Sequence, residues 1–220
     1  MSALVRYFLS EGKFVAGYDR TPSKLTDSLI KEGARLHFEE NEEPIPEECK
    51  DPASTLVIFT PAIPATHKEW KLFREGDFTI KKRAEVLGII TRDKNGVCAA
   101  GTHGKTTTST MTAHLLHQSG VDCAAFLGGI SKNYNTNLLV SENDVIVAEA
   151  DEFDRSFLQL YPEIAVITSM DADHLDIYGD KSHIEEAFKA FASQVSRTLI
   201  MKHGLEISNE DTDAEILTYS

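Results

Sequence analysis

One stretch of the chain, residues 99–116 (AAGTHGKTTTSTMTAHLL), restricts its possible folds more than any other. An apolar run that ends at Gly101 precedes the turn, and a helical pattern begins near Lys105. A strand, a glycine-rich turn and a helix in this order are typical of a phosphate-binding loop, because the turn and the helix N-terminus direct backbone N–H groups at an anion. The sequence therefore predicts an α/β domain with a triphosphate site at the start of this helix.

The residues of this loop provide the groups that a bound triphosphate needs. Lys105 supplies a positive charge for the β- and γ-phosphates, and Thr106 places a hydroxyl at the position that usually holds Mg²⁺. The general pattern of such loops has glycine where this chain has Ala99, so the loop is a variant of the form G-T-x-G-K-T. A solvated glycine-rich turn is the alternative interpretation. The predicted nucleotide-binding residues are contiguous: Gly101, Thr102, His103, Gly104, Lys105, Thr106 and Thr107.

The flanking segments indicate two α/β units. Strand-like and helical patterns alternate over residues 1–93, which predicts a parallel sheet covered by helices. Folds of this kind normally start with a strand and a glycine-rich turn, whereas this chain starts at a helix, so we expect a chain truncated at its start. Residues 94–220 form the second unit, with strands of the buried type at 144–150 and 163–169.

Two helices of the second unit have predicted core faces. Residues 182–195 form an amphipathic helix in which Ile184, Phe188 and Phe191 share one face. The helix after the phosphate loop is expected to face the core with three apolar residues: Met111, Leu115 and Leu116.

Charge and composition exclude several classes of partner. The chain has 22 Lys and Arg against 35 Asp and Glu, and a net charge of −13 repels nucleic acid phosphates and anionic membrane surfaces. No apolar run reaches the roughly 18 residues that a membrane span needs, and the N-terminus does not have the pattern of a signal peptide. The three cysteines are scattered. We therefore expect a cytoplasmic protein with neither nucleic acid nor membrane insertion, and its oligomeric state stays open.

Two acidic stretches follow predicted strands. VAEADEFDRS at residues 147–156 contains Glu149, and TSMDADHLDIYG at 168–179 places His174 among three aspartates. Carboxylates at a strand end near a phosphate loop suit Mg²⁺, which prefers oxygen ligands. A histidine between carboxylates is a candidate metal ligand or acid/base group. From these residues alone, a solvated acidic loop and a structural histidine stay open as alternatives.

Three stretches taken together, AGTHGKTTT, EADEFDRSF and DADHLDIYG, resemble the signatures of the Mur ligase family, the ATP-dependent amino-acid ligases of peptidoglycan synthesis. MSALVRYF…VAGYD and TPAIPATHKEW…KKRAEVLG agree with it, so the resemblance covers nearly the whole chain. It implies a Rossmann-like N-terminal domain for UDP-sugar at residues 1–93, incomplete at its start. A P-loop-type α/β central domain for ATP follows at 94–220, incomplete at its end, and the C-terminal domain is absent. We therefore expect this piece alone to be inactive.

The resemblance also implies a reaction. ATP would phosphorylate the carboxylate of UDP-N-acetylmuramate, and the amine of L-alanine would attack the resulting acyl phosphate. By the same resemblance, the catalytic residues are Lys105, Glu149 and His174, and one or two Mg²⁺ ions are held by Thr106, Glu149 and His174. Weaker predictions concern the UDP-sugar and the substrate cleft: Thr60, Pro61 and Ala62 for the diphosphate region, and Asn137, otherwise a loop amide, for the cleft.

Two other functions stay open at this point. Another Mur-type ligase, such as the one that recycles murein tripeptide, would share these motifs and differ in the amine or peptide that it joins. A phosphate-loop nucleotide-binding protein without ligation chemistry would leave the N-terminal unit and DADHLDIYG without a purpose.

Overall fold

The computed structural model describes residues 1–40, 45–171 and 181–220. These residues divide into two compact units, Met1–Val86 and Leu87–Ser220. Within them, no helix is both long enough and apolar enough to cross a membrane.

Short strands and helices alternate in the first unit. The elements are α1 (Ser2–Ser10), β1 (Ala16–Tyr18), α2 (Lys24–Lys31), β2 (Arg35–His37), β3 (Leu56–Phe59), α3 (Lys68–Glu75) and β4 (Thr79–Lys82), and α4 (Arg83–Thr91) runs past the unit boundary. Strand β1 pairs with β2, and β3 pairs with β4, both in parallel. The unit therefore has two separate two-stranded sheets instead of the one sheet that we expected, because none of its described strands joins β1 to β3.

Side-chain hydrogen bonds fix the first two helices. The α2 helix begins after Ser23, whose Oγ accepts a hydrogen bond from the Thr26 N–H at 3.2 Å, while Thr26 Oγ1 accepts one from the Ser23 N–H at 2.8 Å. This reciprocal cap satisfies backbone donors that have no partner within the helix. Arg6 of α1 donates two hydrogen bonds to Glu32, at 2.8 and 2.9 Å, and so ties α1 to the end of α2.

The second unit is built on a seven-stranded sheet. Its elements are β5 (Asn95–Ala100), α5 (Lys105–Gln118), β6 (Ala124–Ser131), β7 (Thr136–Leu139), β8 (Val145–Glu149), β9 (Ile164–Ile167), α6 (Lys181–Ala192), β10 (Thr198–Lys202) and β11 (Glu215–Tyr219). The strand order is β11-β10-β9-β5-β8-β6-β7. The β6–β7 pairing is antiparallel and the other pairings in this sheet are parallel. The predicted α/β class is confirmed.

Aromatic residues pack the α6 side of the second unit. Phe157, Phe188 and Phe191 are fully buried. The Phe157 ring stacks on Phe191 with centroids 4.9 Å apart and meets Phe188 edge-on at 5.2 Å. The predicted apolar face of this helix is confirmed, since Ile184 is buried as well.

The predicted core face of α5 is wrong for two of its three residues. Met111 and Leu115 are 59% and 65% exposed, and only Leu116 packs against the core. The helix instead buries Ser109 and Ala113, which lie four residues apart on one face. These small side chains allow the helix to lie close to the sheet, so the apolar residues on the opposite face stay in solvent.

Two cysteines lie deep in this sheet. Cys98 on β5 and Cys123 just before β6 are buried, and both are free thiols. Burial raises the pKa of Cys98 to about 12. It also raises the pKa of Cys123 to about 11. Both are therefore protonated at neutral pH.

Candidate phosphate-binding site

The loop between β5 and α5 requires glycine at two positions. Gly101 has φ 124° and Gly104 has φ 85°, both in the left-handed region that favours glycine. A Cβ on Gly101 would also lie 2.2 Å from Thr168 Oγ1 and 2.8 Å from the Ser169 backbone nitrogen. The turn that the sequence predicted is therefore formed, and its first glycine is enforced by both backbone conformation and packing.

The segment after β9 holds this loop in place. The Thr102 N–H donates to Ser169 O at 3.2 Å, and the His103 N–H donates to Ser169 Oγ at 3.0 Å. Thr102 Oγ1 accepts from the Asp171 N–H at 2.9 Å. Because these two loop N–H groups are bonded to protein, an incoming anion meets mainly the N–H groups from Gly104 onward. The first N–H groups of a helix have no acceptor within it.

Lys105 lies at the centre of the site, in contact with a carboxylate that sequence reasoning did not select. Its Nζ is 2.8 Å from Glu152 Oε2 and 3.0 Å from Glu152 Oε1. It also donates to Gly101 O at 2.8 Å and to Thr102 O at 3.3 Å. The side chains of Lys105 and Glu152 are only 14% and 4% exposed. This is a buried ion pair built into the phosphate loop.

Thr106 and Glu149 lie beside two consecutive glycines of β6. The Gly128 N–H donates to Glu149 Oε2 at 3.1 Å, and a Cβ on Gly128 would lie 2.1 Å from that oxygen. A Cβ on the next residue, Gly129, would lie 3.6 Å from Thr106 Cγ2. The carboxylate of Glu149 and the methyl group of Thr106 therefore lie next to neighbouring residues of β6. Neither glycine was singled out from the sequence, although a glycine pair inside a strand signals close backbone approach.

The donors present fit Mg²⁺ chemically. In the described part of the chain, no group of three or more His, Cys, Asp or Glu residues could hold a metal. Mg²⁺ usually takes only one or two carboxylates and completes its shell with water and substrate phosphates. One hydroxyl from Thr106 and one carboxylate from Glu149 match that pattern. They do not match a site made entirely of protein ligands.

Two other predicted site residues belong to the second unit. His174 lies outside the described residues, as do residues 172–180 in general, while Asp171 lies 4.0 Å from His103 Nε2. Asn137 is buried on strand β7, where a loop amide was the alternative prediction.

The remaining predicted residues lie in the first unit. Thr60 and Ala62 line a cavity of about 590 Å³, which residues of β1 and β3 also line. Pro61 is exposed between them.

Two family models cover the chain. The Mur ligase family catalytic domain matches residues 1–95, and the Mur ligase middle domain matches residues 99–220. The chain belongs to the Mur ligase family. The resemblance inferred from the three motifs is confirmed.

Individual Mur ligases are similar over the whole chain. UDP-N-acetylmuramate–L-alanine ligase of Phocaeicola vulgatus is 59% identical over all of this chain, which covers 49% of that protein. The enzyme of the same name from Porphyromonas gingivalis strain W83 is 51% identical over all of this chain, again covering 49% of the relative. The chain therefore spans about half the length of the curated relatives it matches.

Solved Mur ligase structures share the fold. UDP-N-acetylmuramate-alanine ligase from Thermotoga maritima superposes with a TM-score of 0.83 at 25% identity, over 99% of this chain and 50% of that one. UDP-N-acetylmuramate:L-alanyl-gamma-D-glutamyl-meso-diaminopimelate ligase from Neisseria meningitides gives a TM-score of 0.88, over 99% of this chain and 74% of that one. Its identity is 19%, so this second likeness concerns the fold alone.

Proposed function

We propose that the protein to which this chain belongs is an ATP-dependent ligase of peptidoglycan biosynthesis. It joins L-alanine to the carboxylate of UDP-N-acetylmuramate through an acyl-phosphate intermediate. The observation that carries this proposal is the 59% identity, over the whole chain, to an enzyme named for this reaction. The glycine turn that leads into α5, with Lys105 and Thr106 on the first turn of the helix, supports it, because carboxylate activation needs a triphosphate site.

The proposed chemistry balances in two steps. An oxygen of the sugar carboxylate attacks the γ-phosphorus and ADP leaves, which gives the acyl phosphate. The amine of L-alanine then attacks the acyl carbon, loses a proton, and inorganic phosphate leaves. The first step brings a carboxylate anion to the charged γ-phosphoryl group, and the second builds negative charge on the acyl oxygen and the departing phosphate, so the site must offset negative charge.

The residues of this chain would offset that charge from two sides. Lys105 and the N–H groups from Gly104 to Thr107 face the phosphates, with the helix N-terminus of α5 behind them. Thr106 and Glu149 would hold Mg²⁺, which supplies further charge neutralisation and polarises the phosphoryl oxygens. A second ion at His174 stays a prediction, because that residue lies outside the described residues.

The division of labour between the units is part of the same proposal. We assign the UDP-sugar to residues 1–93, with Thr60 and Ala62 at the wall of its cavity, and ATP to residues 94–220. A cytoplasmic location stays a prediction.

The recycling ligase is the second candidate, and sequence similarity favours the alanine-adding reaction over it. The related tripeptide ligase structure shares the fold at only 19% identity, whereas the alanine ligases reach 59%. A nucleotide-binding protein without ligation chemistry agrees less well with a family match that covers both units.

Phosphate release from the full-length protein tests the proposal. We expect release to require ATP, UDP-N-acetylmuramate and L-alanine together, and mass spectrometry to detect the alanylated sugar nucleotide. Preferential use of L-alanyl-γ-D-glutamyl-meso-diaminopimelate as the amine would instead identify the recycling ligase. Turnover with ATP alone would contradict both ligase functions.

A further inference from the structure

The ammonium group of Lys105 has no N–H left for a phosphate. It carries three protons, and it contacts Gly101 O, Thr102 O and the carboxylate of Glu152 at distances of 2.8–3.3 Å. Two of these acceptors are neutral carbonyls of the loop, and the third is an anion. A bound polyphosphate must therefore replace at least one of these contacts.

The backbone on both sides of Glu152 is hydrogen-bonded within the second unit, so we take Lys105 to be the partner that moves. The segment that carries it is fixed at one end by the Ala150 N–H, which donates to Ala99 O at 2.9 Å. At the other end the Phe157 N–H donates to Asp151 O at 2.8 Å, and the Phe157 ring is fully buried. Lys105 instead has a flexible four-carbon stem on the first turn of α5.

We propose that Glu152 competes with the phosphates of a bound nucleotide for the Lys105 ammonium, and so lowers the affinity of the loop for every phosphate ligand. This inference rests on the proposed nucleotide site. Removing the cation from a carboxylate that is 4% exposed is strongly unfavourable. An anion displaces Glu152 only if it brings several compensating contacts.

Breaking the pair costs each ligand the same free energy, so the consequence depends on how many other contacts the ligand makes. Orthophosphate reaches Lys105 and few N–H groups, so it recovers little of what the broken pair loses. A nucleotide polyphosphate also reaches the N–H groups from Gly104 onward and the Thr106 hydroxyl. With Glu152 present, the affinity of the loop for orthophosphate is therefore too low for occupancy, whereas polyphosphates still bind.

The substitution Glu152→Gln in the full-length protein tests this inference. The amide keeps the shape of the side chain and removes the negative charge. We expect pyrophosphate and ADP, measured by calorimetry at fixed ionic strength without Mg²⁺, to bind about tenfold tighter than to the unsubstituted protein. Orthophosphate binding should become measurable. An unchanged or weaker affinity for pyrophosphate would overturn the proposal.

Three further variants separate this effect from its alternatives. Glu163→Gln removes an equal charge from the more exposed Glu163–Arg197 pair (2.7 Å), and should change affinity less than twofold. Lys105→Met should erase the gain from Glu152→Gln in the double variant, because Glu152 acts through Lys105. A persisting gain there, or an equal gain in Glu163→Gln, would overturn the proposal. Glu152→Asp keeps the charge on a shorter stem, and should show a smaller gain even if Glu152→Gln does not fold.

A gain in pyrophosphate affinity in Glu152→Gln would exclude a purely structural role for Glu152. A loop that is merely loosened would bind pyrophosphate more weakly, whereas the proposal requires tighter binding. The measurement is also independent of ligation. A protein that gains affinity in Glu152→Gln but does not join L-alanine would contradict only the proposed function.

Discussion

Each unit buries ionisable side chains, and the two sets differ in how far their hydrogen-bonding groups have partners. In the second unit the Lys105 ammonium has an acceptor for each of its protons. In the first unit Glu69 Oε1 lies 2.6 Å from His37 Nε2. His67, which is 3% exposed and whose ring lies 4.4 Å from Tyr18, has no hydrogen-bond partner at either ring nitrogen among the described residues.

This contrast indicates which unit loses more free energy of folding to buried polar groups. A buried polar group without a partner costs about 1–3 kcal/mol, whereas a saturated ion pair restores much of its desolvation. The polar cluster of the first unit lines the 590 Å³ cavity, next to two sheets of two strands each. We therefore expect the first unit to open more easily than the seven-stranded second unit. The substitutions below test the two units separately.

Lys105→Ala has the largest expected effect. It removes the central cation of the site, and we expect turnover of the full-length enzyme to fall by about 1,000-fold. It also leaves Glu152 buried without its cation, so the melting temperature should fall as well. Lys94→Ala is the matched control, since Lys94 forms a more exposed ion pair with Asp144 at 2.7 Å. Near-normal turnover in Lys105→Ala would contradict the proposed role of Lys105 and its loop in the reaction.

Phe157→Ala tests the packing of the second unit. The side chain is fully buried between Phe188 and Phe191, so its loss should lower the free energy of unfolding by about 3–5 kcal/mol. Phe59→Ala in the first unit removes a half-buried ring that contacts Trp70, and should cost about 1–2 kcal/mol. Urea denaturation measures both. Equal losses would mean that the two units are packed equally well.

Gly128→Ala tests the predicted metal-binding role of Glu149. The new methyl group would collide with the Glu149 carboxylate and turn it away, so we expect activity to fall about 10- to 100-fold and the Mg²⁺ requirement to rise. Gly129→Ala places a methyl at an ordinary contact distance of 3.6 Å from Thr106, and serves as the matched control. If the two variants titrate alike with Mg²⁺, Glu149 does not hold the metal.

Glu69→Gln should produce the smallest effect, visible in the pH dependence of stability. Burial raises the pKa of Glu69 above its ordinary value of 4.5, although His37 and His67 partly oppose this. The folded state thus retains a proton that the unfolded state has lost. This contribution is complete below pH 4.5 and is lost as the pH rises through the raised pKa.

Urea midpoints measured from pH 4 upward reveal this difference. The loss of stability above pH 4.5 should be shallower in Glu69→Gln than in the unsubstituted protein. Glu75→Gln changes an exposed carboxylate of the same helix and should leave the curve as it is. Parallel curves for Glu69→Gln and the unsubstituted protein would show that burial does not control this group.

Local sequence patterns predicted the α/β class and the glycine turn between β5 and α5 well. The lysine, the hydroxyls and the glycines of such a loop follow each other along the chain, so their spacing alone carries the geometry. The choice among carboxylates could not be predicted in the same way. Glu152 is one of four acidic residues in one stretch, and no spacing rule singles out the buried one. The backbone there is irregular, with Asp154 and Arg155 both at positive φ.

The predictions for α5 and β6 were wrong or missing where small residues make the packing contacts. Met111 and Leu115 have helical spacing but lie in solvent, because Ser109 and Ala113 bring the opposite face close to the sheet. Strand β6 was not predicted, since its Gly128–Gly129 pair lowers the strand signal that apolar residues provide. In both cases close backbone approach is the structural requirement, and hydrophobicity does not report it.

The labelling rate of the buried Cys98 thiol can report how often the second unit opens. Thiol reagents attack the thiolate, which Cys98 does not form near neutral pH while β5 stays in the sheet. Labelling of Cys98 therefore requires the central strand to open first. Cys49 in the first unit is half-buried and provides a comparison in the same molecule. Because β5 leads directly into the phosphate loop, a nucleotide that binds there should slow the labelling of Cys98 and leave the labelling rate of Cys49 unchanged.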